Sequence, residues 1–91
     1  MWSVELSKKA TKSIRKLPDR IKASLALLLR EIEEKGPVRG NRPNYGRLGK
    51  KRHHCHLKKG HPTFVAVWEE KESRVNLVEV IYVGSHEKAP Y

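Results

Sequence analysis

The sequence predicts a single α+β domain over residues 1–91: an antiparallel sheet with two N-terminal helices packed on one face, in the order β-α-α-β-β-β. Two observations predict it. Apolar residues recur at helical spacing early in the chain, and later stretches alternate or run continuously apolar like strands. The 91 residues are the size of one domain, and no internal repeat is visible. A chain this short buries about 60–70% of the surface it exposes when unfolded, so its core is modest.

Trp2, Val4 and Leu6 alternate with Ser3 and Glu5, the period of a half-buried strand. Ser7 then suits an N-cap, and Ala10, Ile14 and Leu17 follow at helical spacing. Pro18 and Asp19 open a second helix, since Pro fits a first turn and Asp complements the positive end of the dipole. Its apolar stripe is Ile21, Leu25, Leu28, Leu29 and Ile32. Glu31, Glu33 and Glu34 are expected on the solvent side, and Gly36-Pro37 stops the helix. Leu27 falls off the stripe and is expected to be packed, the alternative being a partner-binding surface. Residues 38–44 read as a loop, and Tyr45 to Leu48 as a weak strand ending at Gly49-Lys50. Arg52 to Lys58 is a strand with a turn at Lys59-Gly60. Thr63 to Glu69 and Arg74 to Val83 are apolar enough to be central strands, joined by a polar turn from Glu70 to Ser73. Gly84 ends the last strand, and residues 85–91 form a tail.

No apolar stretch near the start is long enough to span a bilayer, and Met1 to Glu5 lacks the pattern of a signal peptide. Cys55 is the only cysteine, which suits a reducing, cytoplasmic compartment. The formal charge of +10 calls for an anionic partner: nucleic acid, an acidic protein or an anionic membrane. Between Lys35 and Trp68 there is no acidic residue, yet the stretch holds Arg39, Arg42, Arg47, Lys50, Lys51, Arg52, Lys58, Lys59 and four of the five histidines. The first helix adds Lys8, Lys9, Lys12, Arg15 and Lys16. These bases fit phosphate contacts as well as they fit a solvated face.

Strand parity sorts the histidine-rich segment. Cys55 and Leu57 should face the helices, with His53 sharing their parity, while Arg52, His54, His56 and Lys58 point to the open face. His61 follows at the turn, His86 lies beyond the last strand, and Tyr91 comes last. Three readings compete. His54, His56 and His61 could ligate a metal, but Arg52, Lys58 and Lys59 crowd that site with positive charge and no carboxylate is near in sequence. Histidines can also be structural, which suits His53. The third reading is RNA cleavage. Attack by a ribose 2′-hydroxyl on its own phosphate needs a base, an acid and cations, and an aromatic can stack on an unpaired base. Histidine suits both proton roles near neutral pH.

The whole chain resembles the RelE/ParE superfamily of toxin–antitoxin toxins. Two segments carry the resemblance: Arg52-His53-His54-Cys55-His56-Leu57-Lys58-Lys59-Gly60 running to Trp68, and Tyr82-Val83-Gly84-Ser85-His86-Glu87-Lys88-Ala89-Pro90-Tyr91. The second is similar to the Gly-Thr/Ser-His ending with a final aromatic in the YafQ-like branch. The resemblance implies an mRNA endoribonuclease acting in the ribosomal A site, held in check by a cognate acidic antitoxin. It implies no cofactor, metal, small-molecule or membrane partner. Carried over by position, His56 matches the strand histidine, His86 the C-terminal histidine and Tyr91 the terminal aromatic. His86 is then the general acid and His56 the general base, or the reverse. Arg52, Lys58 and Lys59 would hold phosphate, with His54 and His61 as secondary candidates. Lys8, Lys9, Lys12, Arg15, Arg39, Arg42, Arg47, Lys50 and Lys51 would contact RNA. The chain departs from the YafQ pattern where Lys58-Lys59-Gly60-His61 stand in place of an acidic residue and Arg42-Pro43-Asn44 in place of a loop histidine. A ParE-like gyrase poison and an inactive RNA-binding module are the alternatives on the same fold.

Overall fold

The structure is a computed structural model that describes residues 1–58 and 62–91. Its elements are β1 (Ser3–Leu6), α1 (Lys8–Arg15), α2 (Asp19–Lys35), β2 (Gly46–Leu48), β3 (Arg52–Lys58), β4 (Phe64–Lys71) and β5 (Leu77–Ser85), followed by a single 3-10 turn at His86–Lys88. Ser7 sets the start of α1, because its Oγ accepts the Ala10 backbone N–H at 3.0 Å. Pro18 takes the N-cap position of α2, with Asp19 in the first turn. At the other end Gly36 turns the chain out with φ of 94°. A Cβ there would lie 3.0 Å from Trp2 Nε1, so glycine also lets β1 dock against the end of α2.

The sheet order is β1-β5-β4-β3-β2. The α+β class holds, with two refinements. The weak extended run is a true edge strand, so there are five strands among the described residues. Three of the four pairings are antiparallel, while β1 runs parallel to β5, an arrangement that the long connection through both helices permits. Ile21, Leu25, Leu28 and Ile32 from α2 and Ala10 and Leu17 from the α1 region bury against Cys55, Ala66, Trp68, Val78, Val80 and Val83. β4 is central as expected, and Val65, Ala66, Val67 and Trp68 are all fully buried.

His53 is the one fully buried ionisable side chain of β3 besides Cys55, and it has partners on every side. Its ring stacks on Trp68 at 5.8 Å between centroids and 9° between planes. Nδ1 lies 2.6 Å from the Tyr45 hydroxyl, and Nε2 lies 2.7 Å from Glu70 Oε2. Nε2–H donating to the carboxylate and Nδ1 accepting from the tyrosine satisfies both ends. Trp68 Nε1 in turn donates to the Pro37 carbonyl at 2.9 Å.

Three expectations are corrected. Glu31 is not a solvent-facing acid. Its carboxylate accepts from Arg39 at 3.2 Å, Asn41 at 3.0 Å and Arg42 at 2.5 Å, and so ties the loop before β2 to α2. Leu27 is not packed but 60% exposed, because the stripe is completed by its neighbours Leu25 and Leu28. The β4–β5 turn lies later than expected: β4 continues to Lys71, and Arg74 and Val75 fall in the turn. Glu70 is held in the strand by His53 on one face, while on the other Lys71 bridges Glu69 and Glu79. Asn76, with φ of 55°, makes the sharp re-entry into β5.

Two outcomes follow. His53→Ala should lower the unfolding free energy by about 3 kcal/mol, from the cavity and the stranded Glu70 and Tyr45 groups, as read by urea denaturation. Glu31 has a second signature. Burial pushes its carboxyl up, but hydrogen bonds from Asn41, Arg42 and Arg39 and the charge of Arg42 outweigh this and bring it from 4.5 to about 2. The stabilisation is therefore complete above pH 4.5 and lost as pH falls toward 2. Glu31→Gln should cost about 1–3 kcal/mol at neutral pH, and its deficit should shrink through that acid window.

Candidate active site

β3 carries two histidines onto the face away from the helices. His54 pairs across the sheet with Val67 and His56 with Val65. Both valines are fully buried although no helix covers them. They are covered instead by the histidines and by the tail, which folds back over this face. Tyr91 stacks on His54 at 4.5 Å between ring centroids. His86 meets His56 edge-on at 5.5 Å and Tyr91 edge-on at 5.8 Å. His54, His56, His86 and Tyr91 thus form one cluster drawn from β3 and the tail.

Local structure explains how the cluster is held. The His86 backbone N–H donates to the Thr63 carbonyl at 2.8 Å, which fastens the tail to the start of β4. The Tyr82 hydroxyl donates to the Ser85 carbonyl at 2.6 Å, one residue before His86. Tyr82 can do so only because residue 84 is glycine, since a Cβ there would lie 2.7 Å from its hydroxyl. Gly46 plays the same part under His54: a Cβ would lie 2.9 Å from His54 Nε2. His54 Nδ1 is buried and has no hydrogen-bond partner among the described residues. Burial first, then the charges of His56 and His86, hold the His54 imidazole below its ordinary pKa of 6.5 and favour its neutral form. Cys55, on the helix side, is pushed up to about 12 by burial and stays a thiol.

The proposed cations do not all converge. β3 bulges between His56 and Lys58, so Lys58 pairs with Phe64 and borders a small cleft with Arg20, Ile21 and Ser24 of α2. Simple alternation, which put Lys58 on the open face, fails at the bulge. Arg52 is on the open face, but four residues from His56, about 13 Å along the strand at 3.3 Å per residue. Its Nε and Nη2 both donate to Glu69 Oε2, at 3.1 and 2.8 Å. Lys59 and His61 lie outside the described residues. The acid-free stretch is also less bare than it reads, because flanking carboxylates fold onto it: Glu31 on Arg39 and Arg42, Glu69 on Arg52, Glu72 on Lys51. Arg47 and Lys50 are exposed near the β2–β3 turn, where Arg47 donates to the Lys50 carbonyl at 3.3 Å. Lys8, Lys9, Lys12 and Arg15 are exposed along α1. Among the described residues no three of His, Cys, Asp and Glu are grouped to hold a metal ion.

The comparisons with solved structures decide the architecture. The chain has the fold of the RelE and YoeB toxins. It superposes on a doubly substituted RelE toxin of E. coli in its free state with a TM-score of 0.74, at 22% identity over 97% of this chain and 86% of that one. The E. coli RelBE toxin–antitoxin complex gives 0.68 at 23% identity over 97% and 100%. The YoeB dimer from Staphylococcus aureus gives 0.71 at 12% identity over 93% and 97%. No protein-family model matches the sequence, and no curated protein does. On this RelE-like fold, the structure brings together the expected His54, His56, His86 and Tyr91, and adds Glu69, Tyr82 and the two glycines, which the sequence did not single out. In-strand Gly46 and Gly84 were the available signal, since glycine inside a strand marks close approach.

The packing of the cluster has a direct spectroscopic consequence. In an NMR titration His54 should change protonation below pH 6.5. His86→Ala should move its midpoint upward, because one of the charges that disfavour the imidazolium is gone.

Proposed function

We propose that this protein is the toxin of a toxin–antitoxin pair and an endoribonuclease that cuts mRNA on the ribosome. The observation that carries the reading is the edge-on approach of His56 and His86, 5.5 Å between ring centroids, on a RelE-like fold with Tyr91 beside them. Two imidazoles at that separation can reach different oxygens of one phosphodiester. His56 takes the proton of the ribose 2′-hydroxyl as its oxygen attacks phosphorus. A bond forms from the 2′-oxygen to phosphorus, the bond to the 5′-oxygen breaks, and His86 protonates the leaving oxygen. The products are a 2′,3′-cyclic phosphate and a 5′-hydroxyl. The same geometry serves with the two roles exchanged.

His54, kept neutral, supports Tyr91, whose ring offers a stacking surface for an unpaired base. Arg52, oriented by Glu69, reads as a phosphate-binding cation at the edge of the site rather than at the scissile phosphate. Lys58 lies beside α2 and away from the cluster, and Lys59 is a phosphate-binding candidate on its residue type alone. Lys8, Lys12, Arg15, Arg47, Lys50 and Lys51 are the bases for ribosomal RNA and Lys9 is a further RNA-binding base, while Arg39 and Arg42 are largely committed to Glu31. A chain of charge +10 fits an acidic antitoxin through charge complementarity, and the E. coli RelBE toxin has been solved in complex with its antitoxin. Cytoplasmic action follows from the proposed substrate.

The test is single-turnover cleavage of A-site mRNA. His56→Ala and His86→Ala should each slow it by about 10²–10⁴-fold while ribosome co-sedimentation survives. Wild-type rates in both variants would make the histidines bystanders and remove the basis of this reading.

A further inference from the structure

α1 has two cationic ridges, and they border different surfaces. Lys8, Lys12 and Arg15 line a shallow groove beside Leu6. Lys9, Ser13 and Lys16, at i, i+4 and i+7, look into a cleft of about 720 Å³. The opposite wall of that cleft is β5 from Ile81 to Ser85, and Lys88 and Pro90 of the tail close one side. Arg52 reaches it from β3. Among the described residues no carboxylate lines the cleft. Its apolar surface comes from Leu17, Phe64, Ile81 and Val83.

The cleft and the histidine cluster share one segment: Lys88 and Pro90 border the cleft, and His86 and Tyr91 of the same tail belong to the cluster. Lys9 and Lys16 lie about 10 Å apart along the helix, at 1.5 Å per residue. Lys88 therefore stands on the segment common to both, and Lys9 and Lys16 supply two more cations on the α1 wall of the cleft. A peptide strand added to β5 fits the site less well. The β1–β5 pairing ends at Leu6 and Val80, and the register shifts there, leaving Ile81 as an extra residue. Such a bulge twists an edge away from regular pairing.

We propose that this cleft binds the nucleotides flanking the cleaved bond, with bases on its apolar floor and phosphates on Lys9, Lys16 and Lys88. The proposal rests on the RNA-cleavage reading and adds a subsite to it. It separates the ridges of α1: Lys9 and Lys16 serve the substrate strand, and Lys8, Lys12 and Arg15 do not.

The experiment measures binding of 2′-O-methyl oligoribonucleotides, which cannot undergo 2′-hydroxyl attack, to the full chain as a function of salt. A trinucleotide reports the histidine cluster and a nonanucleotide reports cluster plus cleft. Lys9→Ala/Lys16→Ala should leave the trinucleotide unchanged. For the nonanucleotide it should lower the slope of log affinity against log salt by about 1.4, at 0.7 per phosphate contact on a single strand. Lys8→Ala/Lys12→Ala should alter neither. Equal losses from both pairs, or equal losses for both lengths, would mean a diffuse basic field and overturn the subsite. If wild type binds the nonanucleotide and Lys9→Ala/Lys16→Ala costs nothing, the subsite fails while the cleavage reading stands. If wild type binds neither oligonucleotide, the subsite falls, and the cleavage reading is decided by A-site cleavage. Protection of Lys9 and Lys16 from amine-modifying reagents by an acidic peptide, with none from the nonanucleotide, would assign the cleft to a protein partner and overturn the proposal.

Discussion

His53 holds the register of β3 on β4. It is the residue of the histidine run that takes no part in the site, and the site depends on it. Stacked on Trp68, bonded to Tyr45 and to Glu70, it allows one alignment of the two strands. A slip of one residue would send every side chain of β3 to the opposite face. His54 and His56 would then enter the apolar layer beneath the helices, and Cys55 would be exposed. The polar cost of burying His53 is offset by satisfying both ring nitrogens, so a buried histidine here specifies the structure instead of weakening it.

The same register accounts for the charge pattern. Arg52 stands opposite Glu69 because His53 stands opposite Trp68. The acid-free stretch is one-sided only along the chain. In space its neighbours are Glu31, Glu69, Glu70 and Glu72, each supplied by an adjoining element. What remains strongly cationic is α1 and the cleft beside it, together with the exposed bases of the β2–β3 turn. The exposed positive charge therefore lies along α1 and at the β2–β3 turn, while the bases of the loop before β2 are drawn against α2 by Glu31.

The tail completes the site. Without residues 86–91, β3 would present His54 and His56 above the buried valines, with neither His86 nor Tyr91 against them. The hydrogen bonds of His86 to Thr63 and of Tyr82 to Ser85 convert a chain terminus into a fixed wall. Two small local permissions matter here: a glycine at 84 that admits the Tyr82 hydroxyl, and a glycine at 46 that admits the His54 ring.

Much of this was legible in the sequence, for physical reasons that can be named. Periodicity placed β1, both helices, β3 and β4, because burial of one face imposes a period that survives in any context. Parity alone put His54 and His56 on one face and His53 with Cys55 on the other, and the structure agrees up to the bulge. There parity failed, since one inserted residue reverses every side chain after it and leaves no mark in composition; Lys58 moved to the helix side for that reason. Glu31 could not be assigned, because its partners lie eight to eleven residues away on a loop whose path only the packed chain decides. The approach of His86 and Tyr91 to β3 is also a tertiary fact. The residue types suggested a proton-transfer site, but the distance between His56 and His86 comes from strand order β5-β4-β3 and a tail folded back across it.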